Sequence, residues 1–209
     1  MIEKKDMAEK KKTRSEIKRA AILEAATSAF KEFGVQSTSM DKLAHIAGVS
    51  KRTVYNHFAS KEALVMHLVS DLWQRAMVDI EVQYQSDKPL KEQLVALLNM
   101  ELEFIGSREY LDLSRVAFGH LFYNSEELQK EIEKISAQET AIHRWIKSAV
   151  EDKRLKPLDV EFANSQLHSL IKGSGFWPQL MGMKSELSKE EMRIIAEESA
   201  EMFVCRYQV

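Results

Sequence analysis

The chain has one cysteine, three prolines and seven glycines among 209 residues, and no apolar run approaches the roughly 18 residues of a membrane span. Each shortage excludes something. A lone Cys205 cannot form an intramolecular disulfide; four residues from the C-terminus, it reads as an incidental small hydrophobe. No Cys/His cluster has metal spacing, so neither a metal nor a cofactor is expected. There is no His-Glu-x-x-His pair and no phosphate loop. Two Ser-x-x-Lys matches, Ser15 to Lys18 and Ser169 to Lys172, lack the companion motifs that would give them meaning. Gly173-Ser174-Gly175 lacks the preceding strand that a nucleophile elbow needs. An enzyme is therefore not expected. The amino-terminal MIEKKDMAEKKKTRSEIKRA has no apolar core and no small-residue cleavage site, so it is not a signal peptide. The expected location is the cytoplasm, away from membranes.

What is present is ordinary globular material, 44% hydrophobic and 30% charged, enough for one or two domains with a sizeable core. The net charge of −2 conceals an asymmetry. Residues 1–61 carry 13 Lys/Arg against 7 Asp/Glu, and the remainder carries 17 against 25. A basic front end on an acidic body suggests that one end meets a polyanion.

Nearly all of the chain reads as helix, about nine of them, because strand alternation is absent and breakers are few. Residues 1–13 lack periodicity and form a flexible basic arm. A first helix from about Arg14 to Phe33 opens on a Thr13/Glu16 capping box and carries Ile22, Ala26, Ala29, Phe30 and Phe33 on one stripe. Gly34 stops it. Thr38 with Asp41 caps a short helix with Met40, Leu43, Ala44 and Ala47 inward, and Gly48 breaks that one. Ser50 caps the next, which ends near Phe58, with Val49 and Val54 as a hydrophobic staple. A long helix from Lys61 to about Tyr84 follows. Later helices span Pro89 to about Ser107, Tyr110 to His120, Asn124 (boxed by Glu127, stapled by Tyr123 and Leu128) to about Val150, and Pro157 to about Met181. The last starts at a Ser188/Glu191 box with Leu187 and Met192 as staple.

Residues 38–58 are thus helix, glycine turn, helix. With Val54 and Phe58 as the buried edge and about 100° per residue, Arg52, Thr53 and Asn56 fall on the opposite face. Tyr55 and His57 take the flanks, and Lys51 the first turn. That placement suits a DNA major groove. Arginine can pair bidentately with guanine, asparagine with adenine, and a threonine methyl can pack on thymine. The flanking groups would meet phosphates, as would Lys61 at the start of the following helix.

The same stretch strongly resembles the DNA-binding domain of the TetR family of bacterial transcriptional regulators. The resemblance lies in Ile22, Leu23, Ala25, Ala26, Phe30, Phe33 and Gly34, then Thr38, Ile46, Ala47, Gly48 and Val49, then Ser50, Tyr55, Phe58, Lys61, Glu62 and Leu64. It covers about residues 17–66. It implies an all-α fold with a three-helix amino-terminal domain (14–60) and a helical effector-binding and dimerisation body (61–209). It also places Lys51, Arg52 and Thr53 at the start of the recognition helix, Tyr55 and His57 at positions that commonly touch the DNA backbone, and Lys61 at a phosphate-contacting lysine. Thr38 falls where a small hydroxyl residue often binds phosphate. Many members have glycine or proline where this chain has Arg52. In the body, SLIKGSGFWPQLMG (169–182) weakly resembles AefR-like regulators.

The resemblance further implies a homodimer built on the last two long helices and a small-molecule effector that relieves repression. Candidate interface residues are Leu167, Leu170, Ile171 and Ser174, with Ile194, Ile195, Glu198, Met202 and Phe203; ordinary core would show the same pattern. Met100, Phe104, Tyr110, Phe118, Phe122, Trp145, Phe176 and Trp177 are the candidates for lining an apolar effector pocket, with Arg115, His120 and His168 as polar anchors. Helical aromatics more often fill core. The glycines and proline of GSGFWP mark a weak point in their helix. The alternative is a helical adaptor whose basic end binds a protein or an anionic surface, against which the Arg52/Thr53/Asn56 face argues.

Overall fold

Helix α1 (Arg14–Phe33) begins where its cap demands. The Thr13 hydroxyl accepts the Glu16 N–H at 3.2 Å and the Glu16 carboxylate accepts the Thr13 N–H at 2.6 Å. This computed structural model describes residues 13–81, 83–123, 126, 130, 133–134 and 138–209. Ile22, Ala25, Ala26, Ala29 and Phe30 bury the inner stripe, while Phe33 stays exposed beneath the Lys42 ammonium, 3.0 Å from its ring centre. Gly34, at φ +79°, ends the helix in a conformation that other residues resist.

Two seven-residue helices follow, α2 (Met40–Ile46) and α3 (Lys51–His57), joined across Gly48 at φ +64°. Ser50 caps α3 as expected, accepting the Thr53 N–H at 3.2 Å. The cap of α2 is a correction. Ser39, not Thr38, accepts the Lys42 N–H at 3.2 Å. Thr38 points inward, 1% exposed, and its hydroxyl donates to the Gly34 carbonyl at 2.9 Å. Closing the α1–α2 turn buries the threonine methyl and satisfies its hydroxyl at once, which an exposed cap would not do. Ser39→Ala is expected to cost about 1 kcal/mol, the usual worth of a cap. Thr38→Val is expected to cost about 1–2 kcal/mol by leaving the part-buried Gly34 carbonyl short of a donor. Urea unfolding of both variants is the check, and equal, negligible losses would contradict it.

Helix α4 (Lys61–Trp73) runs into a π-helical turn, Gln74–Val78, rather than continuing to Tyr84. The Asp79 N–H reaches back to the Gln74 carbonyl, and the Gln74 amide donates to the Asp79 carboxylate at 2.9 Å, so the helix closes on itself there. The chain folds as two compact units, residues up to Leu64 and Val65–Val209, and α4 runs through the boundary.

In the second unit, α5 (Leu90–Ile105) is the central element. It packs against α6 (Arg108–Leu121), α7 (Ala141–Glu151), α8 (Val160–Gly175) and most extensively α10 (Lys189–Tyr207). Between α8 and α10 lies a single turn, α9 (Trp177–Leu180). The Ser188/Glu191 box starts α10 as its sequence requires. The helix expected to reach Val150 unbroken from Asn124 instead restarts at Thr140, whose extended backbone and hydroxyl cap α7. Asn124, Glu127 and Leu128 lie outside the described residues. The helix expected over Pro157–Met181 starts later, capped by Asp159, and breaks at Phe176. The break lets Pro178 sit in the first turn of α9, where its missing N–H is harmless. A side chain at Gly175 would run into Leu102 of α5, so the glycine permits the approach of α8 to α5. Ten α-helices result among the described residues, and none is long and apolar enough to cross a membrane.

Candidate nucleic-acid interface and effector core

The short α3 is held by Val54 and Phe58, both buried, and by the Ser50 cap. Everything else on it faces outward or sits at the edge. Lys51, Arg52, Tyr55 and Asn56 are exposed; Thr53 and His57 are half-buried. The side chains of Arg52 and Asn56 make no hydrogen bond or ion pair among the described residues, so their polar atoms are available to a ligand. Thr53 is committed, its hydroxyl 2.8 Å from that of Ser50, which leaves its methyl to meet a base. Lys51 pairs with Asp41 at 2.9 Å, and the Asp41 carboxylate raises the lysine pKa through that hydrogen bond and its charge. Both partners are exposed, so the pair contributes little and can open.

Lys61 behaves differently from the expectation of a free phosphate ligand. Its ammonium donates to the Val35 carbonyl at 3.0 Å and to that of Gln36 at 3.4 Å, tying the first turn of α4 to the loop before α2. Lys61→Ala is therefore expected to lower stability by about 1–2 kcal/mol, as loss of a charge-assisted hydrogen bond does. Chemical denaturation reads this directly, and an unchanged midpoint would leave the lysine no bracing role. Thr38, buried as above, cannot offer its hydroxyl to a phosphate, and the exposed hydroxyl at the start of α2 is that of Ser39. Reading from residues alone missed Ser39 because Thr38–Asp41 made the better-looking box.

In the second unit, six of the predicted pocket aromatics share one cluster. Phe104 and Tyr110 are 4.4 Å apart by ring centre, Tyr110 and Phe176 6.0 Å, Phe118 and Trp177 5.5 Å, Phe176 and Trp177 5.0 Å, and Phe118 and Phe122 5.9 Å. Trp145 belongs to a different pair, edge-on to Tyr84, with its indole N–H donating to Gln93 at 3.3 Å. It is 1% exposed and serves as core. Met100 is exposed on α5. Arg115 is a staple: it donates to the Leu180 and Gln179 carbonyls at 3.0 and 2.8 Å and to Asp112 at 2.6 Å, capping α9. It also borders an open cleft of about 530 Å³ with Arg108, Asp112, Lys184 and Glu186, whose charges are of both signs. His168 is 2.7 Å from the buried carboxylate of Glu101, a residue that sequence reasoning passed over because one acid on an apolar helix carries no signal by itself.

Residues 22–68 match the pattern of the tetR family of bacterial regulatory proteins, and residues 92–209 match the AefR-like transcriptional repressor C-terminal domain. The chain belongs to the TetR family. A TetR family transcriptional regulator from Pseudomonas syringae pv. tomato has a similar structure, at 38% identity and TM-score 0.71 over 91% of this chain and 97% of that one. The flavonoid-responsive regulator FrrA is similar at 26% identity and TM-score 0.59, covering 91% and 97%. The HTH-type regulator RutR of Escherichia coli K12 is 29% identical over 150 residues, which are 68% of this chain and 66% of RutR, just under two thirds of its length. Regulators of the TetR family are not enzymes, and among the described residues no group of three or more His, Cys, Asp or Glu could hold a metal ion.

For a TetR-family chain, the exposed faces of α8 and α10 are of interest. Ser174, Ile194 (47% exposed), Glu198 and Met202 (57%) lie on them, joined by Phe162 (60%), which the sequence reading did not include. Leu167 and Ile171 do not: both are fully buried in the unit's own core, as is Phe203, and Leu170 and Ile195 pack against it. Core and interface residues share the same three- and four-residue spacing, so periodicity alone could not separate them.

Proposed function

We propose that the protein is a homodimeric transcriptional repressor that reads a palindromic operator with α3 and lets go of it when a small molecule binds the body. The observation that carries this reading is the exposed Arg52, Tyr55 and Asn56 face of a capped, seven-residue helix in a TetR-family chain. Arg52 reads guanine, Asn56 and the Thr53 methyl read neighbouring bases, and Lys51, Tyr55, His57 and Ser39 position the backbone. Residues 14–60 form the reading domain, and the rest binds effector and partner. Two copies joined through Phe162, Ser174, Ile194, Glu198 and Met202 present two such helices to half-sites roughly 34–36 Å apart or a multiple of that. The aromatic cluster, and the flavonoid response of the similar regulator FrrA, favour an aromatic effector. As α4 runs from the first unit into the second, an effector that prefers one spacing of the heads would shift the dimer away from the operator.

The test is selection of genomic fragments by the purified protein, followed by fluorescence anisotropy on selected and scrambled duplexes. Affinity for the selected site is expected to fall steeply with salt, with a log–log slope of about 0.9 per phosphate neutralised. Equal affinity for both duplexes at every salt concentration would refute sequence-specific regulation and favour an adaptor with a basic end.

A further inference from the structure

The middle of the body buries charge where a helical core ordinarily holds hydrocarbon. Glu101, on α5, is 2% exposed, and its Oε1 lies 2.7 Å from His168 Nδ1. Its other oxygen, Oε2, is buried and has no hydrogen-bond partner. One turn along α8, Lys172 sits half-buried with its ammonium 4.8 Å over the Trp73 ring. Burial pulls the lysine pKa below its ordinary value, and the charge of Glu101 opposes that, yet the two close no ion pair. One turn back, Asn164 Oδ1 is also buried without a partner, as is the indole nitrogen of Trp73. Asn164, His168 and Lys172 recur every four residues and so share one side of α8. Beside them stands Tyr110, near enough to feel the Glu101 charge and packed with tilted rings against Phe104 and Phe176. Burial pushes its phenol above the ordinary range, so it stays neutral.

A carboxylate oxygen left bare in such surroundings is costly, and so is a desolvated ammonium within reach of its charge that rests on an aromatic ring and closes no ion pair with it. A single group that both donates and accepts would satisfy the two together. We propose that Glu101, His168 and Lys172 form the polar end of the effector site, and that this end takes the hydroxyl of a neutral hydroxyaromatic molecule. The hydroxyl donates to Glu101 Oε2 and accepts from Lys172, and the ring packs on the Phe104, Tyr110 and Phe176 wall. A cationic ligand would face Lys172, and an anionic one would be held against Glu101; only a neutral donor–acceptor fits both. The inference rests on the reading of the body as an effector domain and adds the chemical class to it.

Isothermal calorimetry on the full chain without DNA tests it, using para-propylphenol, para-propylanisole, para-propylbenzoate and para-propylbenzylammonium. The phenol is expected to bind at least about tenfold more tightly than the other three. In Glu101→Leu the preference for phenol over anisole is expected to fall below about twofold, while Glu101→Gln, which keeps an acceptor, retains part of it. Circular dichroism checks folding, and if the leucine variant does not fold, Lys172→Met is expected to weaken the phenol several-fold and spare the anisole. Equal binding of phenol and anisole by the parent, tighter binding of either ion, no heat from any of the four, or a preference unchanged in Glu101→Leu or, in its place, Lys172→Met overturns the proposal. The parent is assayed in parallel on selected and scrambled duplexes. Specific operator binding without phenol binding refutes this inference alone, whereas loss of sequence-specific DNA binding refutes the regulator reading.

Discussion

Trp145→Ala is expected to cost about 3–5 kcal/mol of stability, the range for deleting a fully buried aromatic. The side chain is 1% exposed, sits edge-on to Tyr84 and donates its indole N–H to Gln93. Truncation leaves a cavity between α5 and α7 and removes a donor from an amide that also holds the Gln85–Pro89 turn through its other contacts. Urea unfolding followed by circular dichroism measures the loss. A cost below about 1 kcal/mol would mean that the indole lines a space that solvent or effector can fill, and the pocket role expected from the sequence would return. Trp177→Ala is the informative contrast. That ring is partly exposed at the edge of the aromatic cluster, so its truncation is expected to cost less stability than that of Trp145.

Arg52→Ala is expected to weaken binding to the selected operator by roughly 1–3 kcal/mol per half-site, and so by about 2–6 kcal/mol for a symmetric dimer on two independent half-sites. The loss should be specific: preference at one base pair in each half-site relaxes, and variants already lacking that pair lose little. Lys51→Ala serves as the control. It is expected to weaken all duplexes by a similar factor and to lower the salt slope by about one unit per protomer, since its ammonium would exchange Asp41 for a phosphate. Titration of both variants against single-base-pair operator changes decides the matter. If Arg52→Ala weakens every duplex alike, the arginine contacts backbone and another residue of α3 reads the base.

Much of this architecture was legible in the residues. Helix starts at Thr13, Ser50 and Ser188 follow from short-range chemistry, a hydroxyl accepting an N–H three residues on, and the structure repeats each of them. The helix-turn-helix was legible for a similar reason. Gly48 with positive φ, the Ser50 cap and the Val54/Phe58 edge lie within eleven residues, so local spacing decides which face is left for a ligand. The weak point at GSGFWP was visible because glycine and proline carry their backbone preferences wherever they stand, although one helix was expected to run through it to Met181 and the chain breaks there instead.

What only the tertiary structure decided is which of two chemically equivalent residues does a job, and which apolar residue meets which neighbour. Thr38 and Ser39 both could cap α2; the carbonyls of Gly34 and Ala29 claim Thr38 and leave Ser39. Lys61 looked free until Val35 and Gln36, some twenty-five residues away, presented their carbonyls. Leu167, Ile171 and Ser174 follow one another at spacings of four and three residues, yet the unit's own core covers the first two and leaves Ser174 bare. The pairing of Glu101 with His168 joins residues 67 positions apart. Capping and turn chemistry act over three or four residues and are written along the chain, whereas burial and charge pairing depend on which helices meet, and that is set by the packing of the whole unit.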